Sequence, residues 1–234
     1  PEIVINTAAM TQVDQCEQEK DACRRINVVA VKYLVEACNQ WQCHLIQVST
    51  DFVFDGSFGP IDESHKPNPV NYYGKCKLAA EERVKQKAKS WAIVRTVLVY
   101  GITHNMSRSN IILWVKKSLE SGENIQVVTD QWRTPTLAED LAIGCYLIAM
   151  KKAQGIYHIS GKDMLSPYEM AIKTADFFNL DQSLIHQTDA SQFTQPAKRP
   201  PKTGFVIDKA RKVLGYEPRS FEEGLKVLQS QINK

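Results

Sequence analysis

The chain of 234 residues is 43% hydrophobic and 24% charged, which is enough for one large α/β domain or one domain with a small lobe. A net charge of +3 does not point to nucleic acid, and no apolar run approaches the roughly 20 residues that a membrane span needs. Six cysteines (Cys16, Cys23, Cys38, Cys43, Cys76 and Cys145) form no CxxC pair and no metal-ligand spacing, so the expectation is reduced thiols, no metal and, by default, a cytoplasmic location.

The first residues, Pro1 to Asn6, already read as a buried strand, so the expected fold begins in its middle. Residues 2–9 predict a central parallel strand ending in small residues. A helix is expected over roughly 17–40, with Ala22, Ile26, Val29, Ala30, Tyr33, Leu34 and Ala37 on its buried face. His44 to Ser49 is the next strand, residues 55–70 a surface loop, 73–88 a helix and Trp91 to Tyr100 a third strand closed by Gly101. Strands alternating with helices imply crossover connections and a parallel sheet.

Helix starts dominate the second half. Ser109 is the expected cap of a helix carrying Ile111, Ile112, Val115 and Leu119, with Gly122 just past its end. Thr136/Glu139, Ser166/Glu169 and Ser220/Glu223 each match a capping box, and Pro167 suits a first helical position. One more strand is expected over 155–160, an irregular Pro-rich stretch over 190–207, and a last pair of helices. The expected organisation is a Rossmann-type core over 1–101, with 102–234 completing that core and forming a small substrate-binding lobe. Of the basic clusters, Lys85/Lys87/Lys89 suits a solvated helix face; the other is Lys198/Arg199/Lys202.

The chemistry concentrates between Val48 and Lys77. Tyr73 and Lys77 are four residues apart at a helix start and share a face, which lets an ammonium sit near a phenol. A nearby positive charge favours phenolate, so the expectation is a Tyr73 pKa lowered toward working pH and a phenol that exchanges a proton with a carbonyl or alcohol oxygen. Thr50, at the carboxyl end of the preceding strand, lies where ligands gather in parallel sheets, and its hydroxyl is placed to hold the same oxygen. Arg133, just before Thr134 and Pro135, and Arg199 are candidates for gripping a diphosphate through the planar donor fork of a guanidinium.

Five segments carry a resemblance: Val4-Ile-Asn-Thr-Ala-Ala-Met-Thr-Gln-Val-Asp14, Ser49-Thr-Asp-Phe-Val-Phe-Asp-Gly56, Asn71-Tyr-Tyr-Gly-Lys-Cys-Lys77, Arg95-Thr-Val-Leu-Val-Tyr-Gly101 and Pro135-Thr-Leu-Ala-Glu-Asp140. Through them the chain resembles the extended short-chain dehydrogenase/reductases, and within these the dTDP-4-dehydrorhamnose reductase group. The resemblance implies a Rossmann-type α/β fold, NADP or NAD as cofactor and a nucleotide-linked sugar as substrate, and it leaves a homodimer open. It implies Tyr73 as proton donor and Lys77 as the ribose-binding partner that tunes it. It also implies that Thr50, with Ser49 beside it, binds the substrate carbonyl, and that Asn27 completes a catalytic tetrad. Ala8, Ala9 and Met10 match the strand end under the cofactor, a role in which Ser49 shares; Thr11, Val13 and Asp51 match positions lining the sugar.

Two departures accompany the resemblance. Leu98 stands where rhamnose-forming reductases carry Trp against the sugar, and no G-x-x-G-x-x-G turn for the pyrophosphate is present, so about sixty residues are expected to be missing from the front. Phe52 after Asp51, in place of an acidic residue, argues against a dehydratase. An epimerase remains open, as does a non-catalytic regulatory subunit similar to that of methionine adenosyltransferase.

Overall fold

A computed structural model describes residues 1–102, 110–193 and 195–232. Strand β1 (Ile3–Asn6) leads to two short helices, α1 (Val13–Gln18) and α2 (Lys20–Arg24), a π-helical turn at Arg25–Val29, and α3 (Ala30–Gln40). The single helix expected here is interrupted at Glu19, whose φ of −110° and ψ of 59° lie outside the helical region. Its phase is also different. A π turn takes one residue more than an α turn, and the buried face runs through Cys23, Asn27, Val31, Val35 and Cys38. Ile26 and Tyr33, expected inside, are 44% and 62% exposed.

Strand β2 (His44–Thr50) is buried at every position except half-buried Val48, as a strand covered on both faces must be. Helix α4 (Tyr72–Lys87) is capped by Asn71, whose side chain accepts the Gly74 N–H at 2.8 Å. Strand β3 (Trp91–Thr96) is shorter than expected: Leu98 takes a φ of 33°, and the next residues form β4 (Val99–Tyr100) in a different sheet.

Helix α5 (Ile111–Glu120) is capped by Asn110, which accepts the N–H groups of Ile112 and Leu113; the expected cap, Ser109, lies outside the described residues. There follow β5 (Ile125–Val128), β6 (Thr136–Leu137), α6 (Ala138–Lys151), β7 (Gly155–His158), α7 (Pro167–Phe178), β8 (Ile185–Thr188), α8 (Asp208–Leu214) and α9 (Phe221–Ile232). The Ser166/Glu169 and Ser220/Glu223 capping boxes form. The Thr136/Glu139 box does not, because Thr136 is in β6 and its hydroxyl donates to Val97 O at 2.7 Å.

The main sheet is parallel throughout, in the order β1-β2-β3-β7. Helices α3 and α4 cover one face through Val31, Val35, Ala80 and Val84 against Leu45 and Ile93. On the other face, Ile148 of α6 and Leu214 of α8 pack with Ile46, Val94 and Tyr157. The chain beyond residue 101 thus supplies the fourth strand and its covering helices. It also builds separate cores in which α5 and α7 pack with α9 and with the parallel β5–β8 pair. Among the described residues no helix is long and apolar enough to cross a membrane.

Candidate active site

Helix α4 meets the carboxyl end of β2 at close range. A Cβ at Gly74 would lie 2.1 Å from Phe52 O, so glycine is what lets the helix start this near the turn at Asp51–Val53. The register that follows brings Tyr73 beside Thr50, whose hydroxyl favours the phenolate. One turn later Lys77 Nζ donates to Val48 O at 2.7 Å. Tyr73, Lys77 and Thr50 are all buried.

The proton affinities differ from the expectation. Burial pushes the Tyr73 phenol well above the ordinary range for a tyrosine; the Thr50 hydroxyl works against that rise, whereas the Asp51 carboxylate adds to it. Desolvation of a phenolate outweighs its neighbours here, and Tyr73 is held as a neutral phenol at pH 7. The same burial lowers Lys77 to about 8, against the pull of Glu81 in the other direction.

Met10 and Val13 pack on the cluster formed by Tyr73 and three buried thiols, Cys16, Cys23 and Cys76. Burial and the neighbouring Cys23 push the Cys76 thiol up to about 12, so at neutral pH this lining behaves as apolar surface. Asn27, inside the π turn, accepts the Met10 N–H and donates to Met10 O, both at 2.9 Å, and donates to Cys23 Sγ at 3.3 Å. It therefore holds the segment after β1 rather than presenting a free amide. Ala8 and Thr11 are exposed and Ala9 is half-buried in that segment.

Ser49, Arg133 and Arg199 have their polar groups engaged within the chain. Ser49 points to the opposite side from Thr50, as alternation along a strand requires, and its hydroxyl donates to Glu81 Oε1 at 2.5 Å. Arg133 is buried with its fork filled: Nη1 donates to Trp132 O at 2.7 Å and Pro201 O at 3.0 Å, and Nη2 to Pro200 O at 2.6 Å and Gln131 Oε1 at 3.3 Å. Its Nε lies 3.8 Å from Asp51 Oδ2. Arg199 makes a two-pronged pair with Asp14, at 3.1 and 2.6 Å. Both forks expected to grip a diphosphate are engaged within the chain. Leu98 is 40% exposed beyond the end of β3.

Sequence reasoning passed over Thr203, which donates to Asp51 Oδ2 across 152 residues, and the buried Glu81–Arg95 pair. Only Glu81 had a local signal, since it stands four residues after Lys77 as Lys77 stands four after Tyr73. Asp51, wholly buried, has its carboxyl pushed up by desolvation against the pull of Arg133, Thr203 and Thr50.

The residues present fit the ring and ribose end of a nicotinamide cofactor. Among the described residues Lys77 has one hydrogen bond and three N–H groups, and small Ala8 and Ala9 follow the end of β1. The glycines of this chain supply no pyrophosphate turn.

Comparison with known proteins agrees with this geometry. The family model for the RmlD substrate binding domain matches residues 1–233. A dTDP-4-dehydrorhamnose reductase from Bacillus anthracis, solved in complex with NADP, superposes with a TM-score of 0.91 at 31% identity, covering 99% of this chain and 81% of that one. A dTDP-4-dehydrorhamnose reductase from Clostridium acetobutylicum gives 0.93 at 31% identity over 100% and 82%. Methionine adenosyltransferase 2 subunit beta of Xenopus laevis is 35% identical over 188 residues, 78% of this chain and 56% of that protein. The chain thus spans little more than half the length of that relative. It belongs to the RmlD substrate-binding domain family, with the parallel α/β fold of the extended short-chain dehydrogenase/reductases.

Proposed function

We propose that this protein reduces the C4 ketone of a nucleotide-linked 4-keto-6-deoxy sugar, using NADPH or NADH. The observation that carries the reading is the buried Tyr73 phenol beside the Thr50 hydroxyl, with the Lys77 ammonium one helical turn away. A neutral phenol is the form that donates a proton, and a ketone taking up a hydride needs one at its oxygen. Thr50 orients that oxygen toward Tyr73. The Thr50 hydroxyl accepts the Phe52 N–H at 3.2 Å, and its one proton, given to Asp51 Oδ1 at 3.0 Å in the free site, turns to the ketone oxygen when substrate binds. Lys77 supplies positive charge where the phenol loses its proton. The reduced nicotinamide supplies the hydride when bound.

The test is NAD(P)H oxidation with a 4-keto-6-deoxy nucleotide sugar, comparing wild type with Tyr73→Phe in a chain of the full length of its relatives. Oxidation by wild type and its loss in the variant support the reading; equal rates overturn the mechanism. The likeness to methionine adenosyltransferase 2 subunit beta defines the competing outcome. A wild type without oxidation that co-elutes with a methionine adenosyltransferase makes the chain a regulatory subunit.

A further inference from the structure

Helix α4 carries a third polar residue on the face that holds Tyr73 and Lys77. Glu81 is fully buried one turn beyond Lys77, where a carboxylate is almost never found unless it is paired. The Arg95 guanidinium reaches it with Nε at 3.0 and 3.2 Å from the two oxygens and Nη2 at 2.6 Å, and Ser49 donates to it at 2.5 Å. Ser49 and Arg95 are direct partners in the β2–β3 register. Three consecutive residues of β2 therefore receive three successive turns of α4. Thr50 faces Tyr73, the Val48 carbonyl takes Lys77, and Ser49 takes Glu81.

A buried ion pair is a poor way to gain stability, because well-packed apolar residues of similar size usually do as well. The pair here has a neighbour that needs a counter-charge. Lys77 is buried; Glu81 on its own helix and Cys23 from α2 favour its charge, Tyr73 lies one turn before it, and the Arg95 cation is already paired with Glu81. Behind Arg95 stands His158 of β7, fully buried and held neutral, so it adds no further positive charge.

We propose that Glu81, fixed by Ser49 and Arg95, is a positioning residue that acts through Lys77: its carboxylate is the counter-charge that keeps the buried ammonium protonated and its helix in register with β2. The proposal rests on the reductase reading for its consequence, since a neutral Lys77 loses its hold on the phenol.

Two measurements on the full chain test it. Titration of the Lys77 side chain by NMR, with carbon-labelled lysine and Lys77→Arg for assignment, reads the charge without substrate. Wild type is expected to titrate near 8, and Glu81→Gln about one pH unit lower. The alkaline limb of the kcat/KM profile should move down by the same amount, while Arg95→Lys, which keeps a cation opposite Glu81 without the two-pronged fork, leaves it in place. An unmoved Lys77 in a folded Glu81→Gln protein overturns the proposal. Should that variant leave Arg95 unpaired and unfold, Glu81→Gln combined with Arg95→Met removes the pair together, and Lys77 must again titrate lower. An inactive wild type overturns the reductase reading, whereas an unmoved Lys77 overturns this one, so the two failures are distinguishable.

Discussion

On one side of Asp51, helix α4 lays Tyr73, Lys77 and Glu81 along β2; on the other, the strap of residues 197–205 is tied down by Arg133, Arg199 and Thr203. Both regions bury polar groups, but they dispose of them differently. Around the strap the named donors are engaged: Arg133 fills its fork with three backbone carbonyls and the Gln131 amide oxygen, Arg199 closes on Asp14, and Asn71 Nδ2 donates to Lys198 O at 2.8 Å. The α4 face retains a phenol and an ammonium whose hydrogen-bonding capacity exceeds what the described chain uses. A cation has capacity for a further ligand only where its donors are open, and among the described residues Lys77 keeps such donors while Arg133 spends its fork within the chain.

Breaking each region should give a different signature. The largest effect is expected on the α4 face, where Tyr73→Phe lowers kcat by about 10²- to 10⁴-fold, the usual contribution of a positioned general acid. Its melting temperature should stay close to wild type; a collapse in stability would reduce Tyr73 to a packing residue. In the strap, Arg133→Ala should cost about 3–5 kcal/mol in denaturant unfolding, because it leaves Asp51 buried without its cation. A rise in KM at unchanged stability would instead return Arg133 to the role of diphosphate ligand.

The layer behind the α4 face gives a pH test. His158 stacks on Phe205 at 3.8 Å and is buried deeply enough, with Arg95 nearby, that its pKa is lowered to about 3. Below its ordinary value of 6.5 the unfolded chain takes up a proton that the folded ring refuses until about 3. Stability should therefore fall as pH drops from 6.5 toward 3, by at most about 1.4 kcal/mol per pH unit from this group. His158→Phe should flatten that slope, as followed by thermal melts across the range. The smallest effect belongs to Arg199→Ala. Its pair with Asp14 is part-exposed, so a loss of about 1 kcal/mol or less is expected, and a larger loss would show that the strap hinges on this contact.

What was legible in the sequence was local. The alternation of strands with helices, the spacing of Tyr73 and Lys77, and the Ser166 and Ser220 caps all depend on residues within a few positions of one another, and the structure contains them. Long-range packing decided the rest. The π turn at Arg25–Val29 rotates the buried face of α3, and within it Asn27 bonds the Met10 backbone, a contact across 17 residues that no periodicity reveals. Strands β5 and β8 were invisible because four-residue segments such as Ile-His-Gln-Thr become strands only when paired. The orientation of Ser49, the engagement of Arg133 and Arg199, and the direction of the Tyr73 shift likewise depend on which atoms surround a group once water has been excluded. Residue spacing determines which side chains share a face; only the folded chain determines what that face touches and how much solvent it loses.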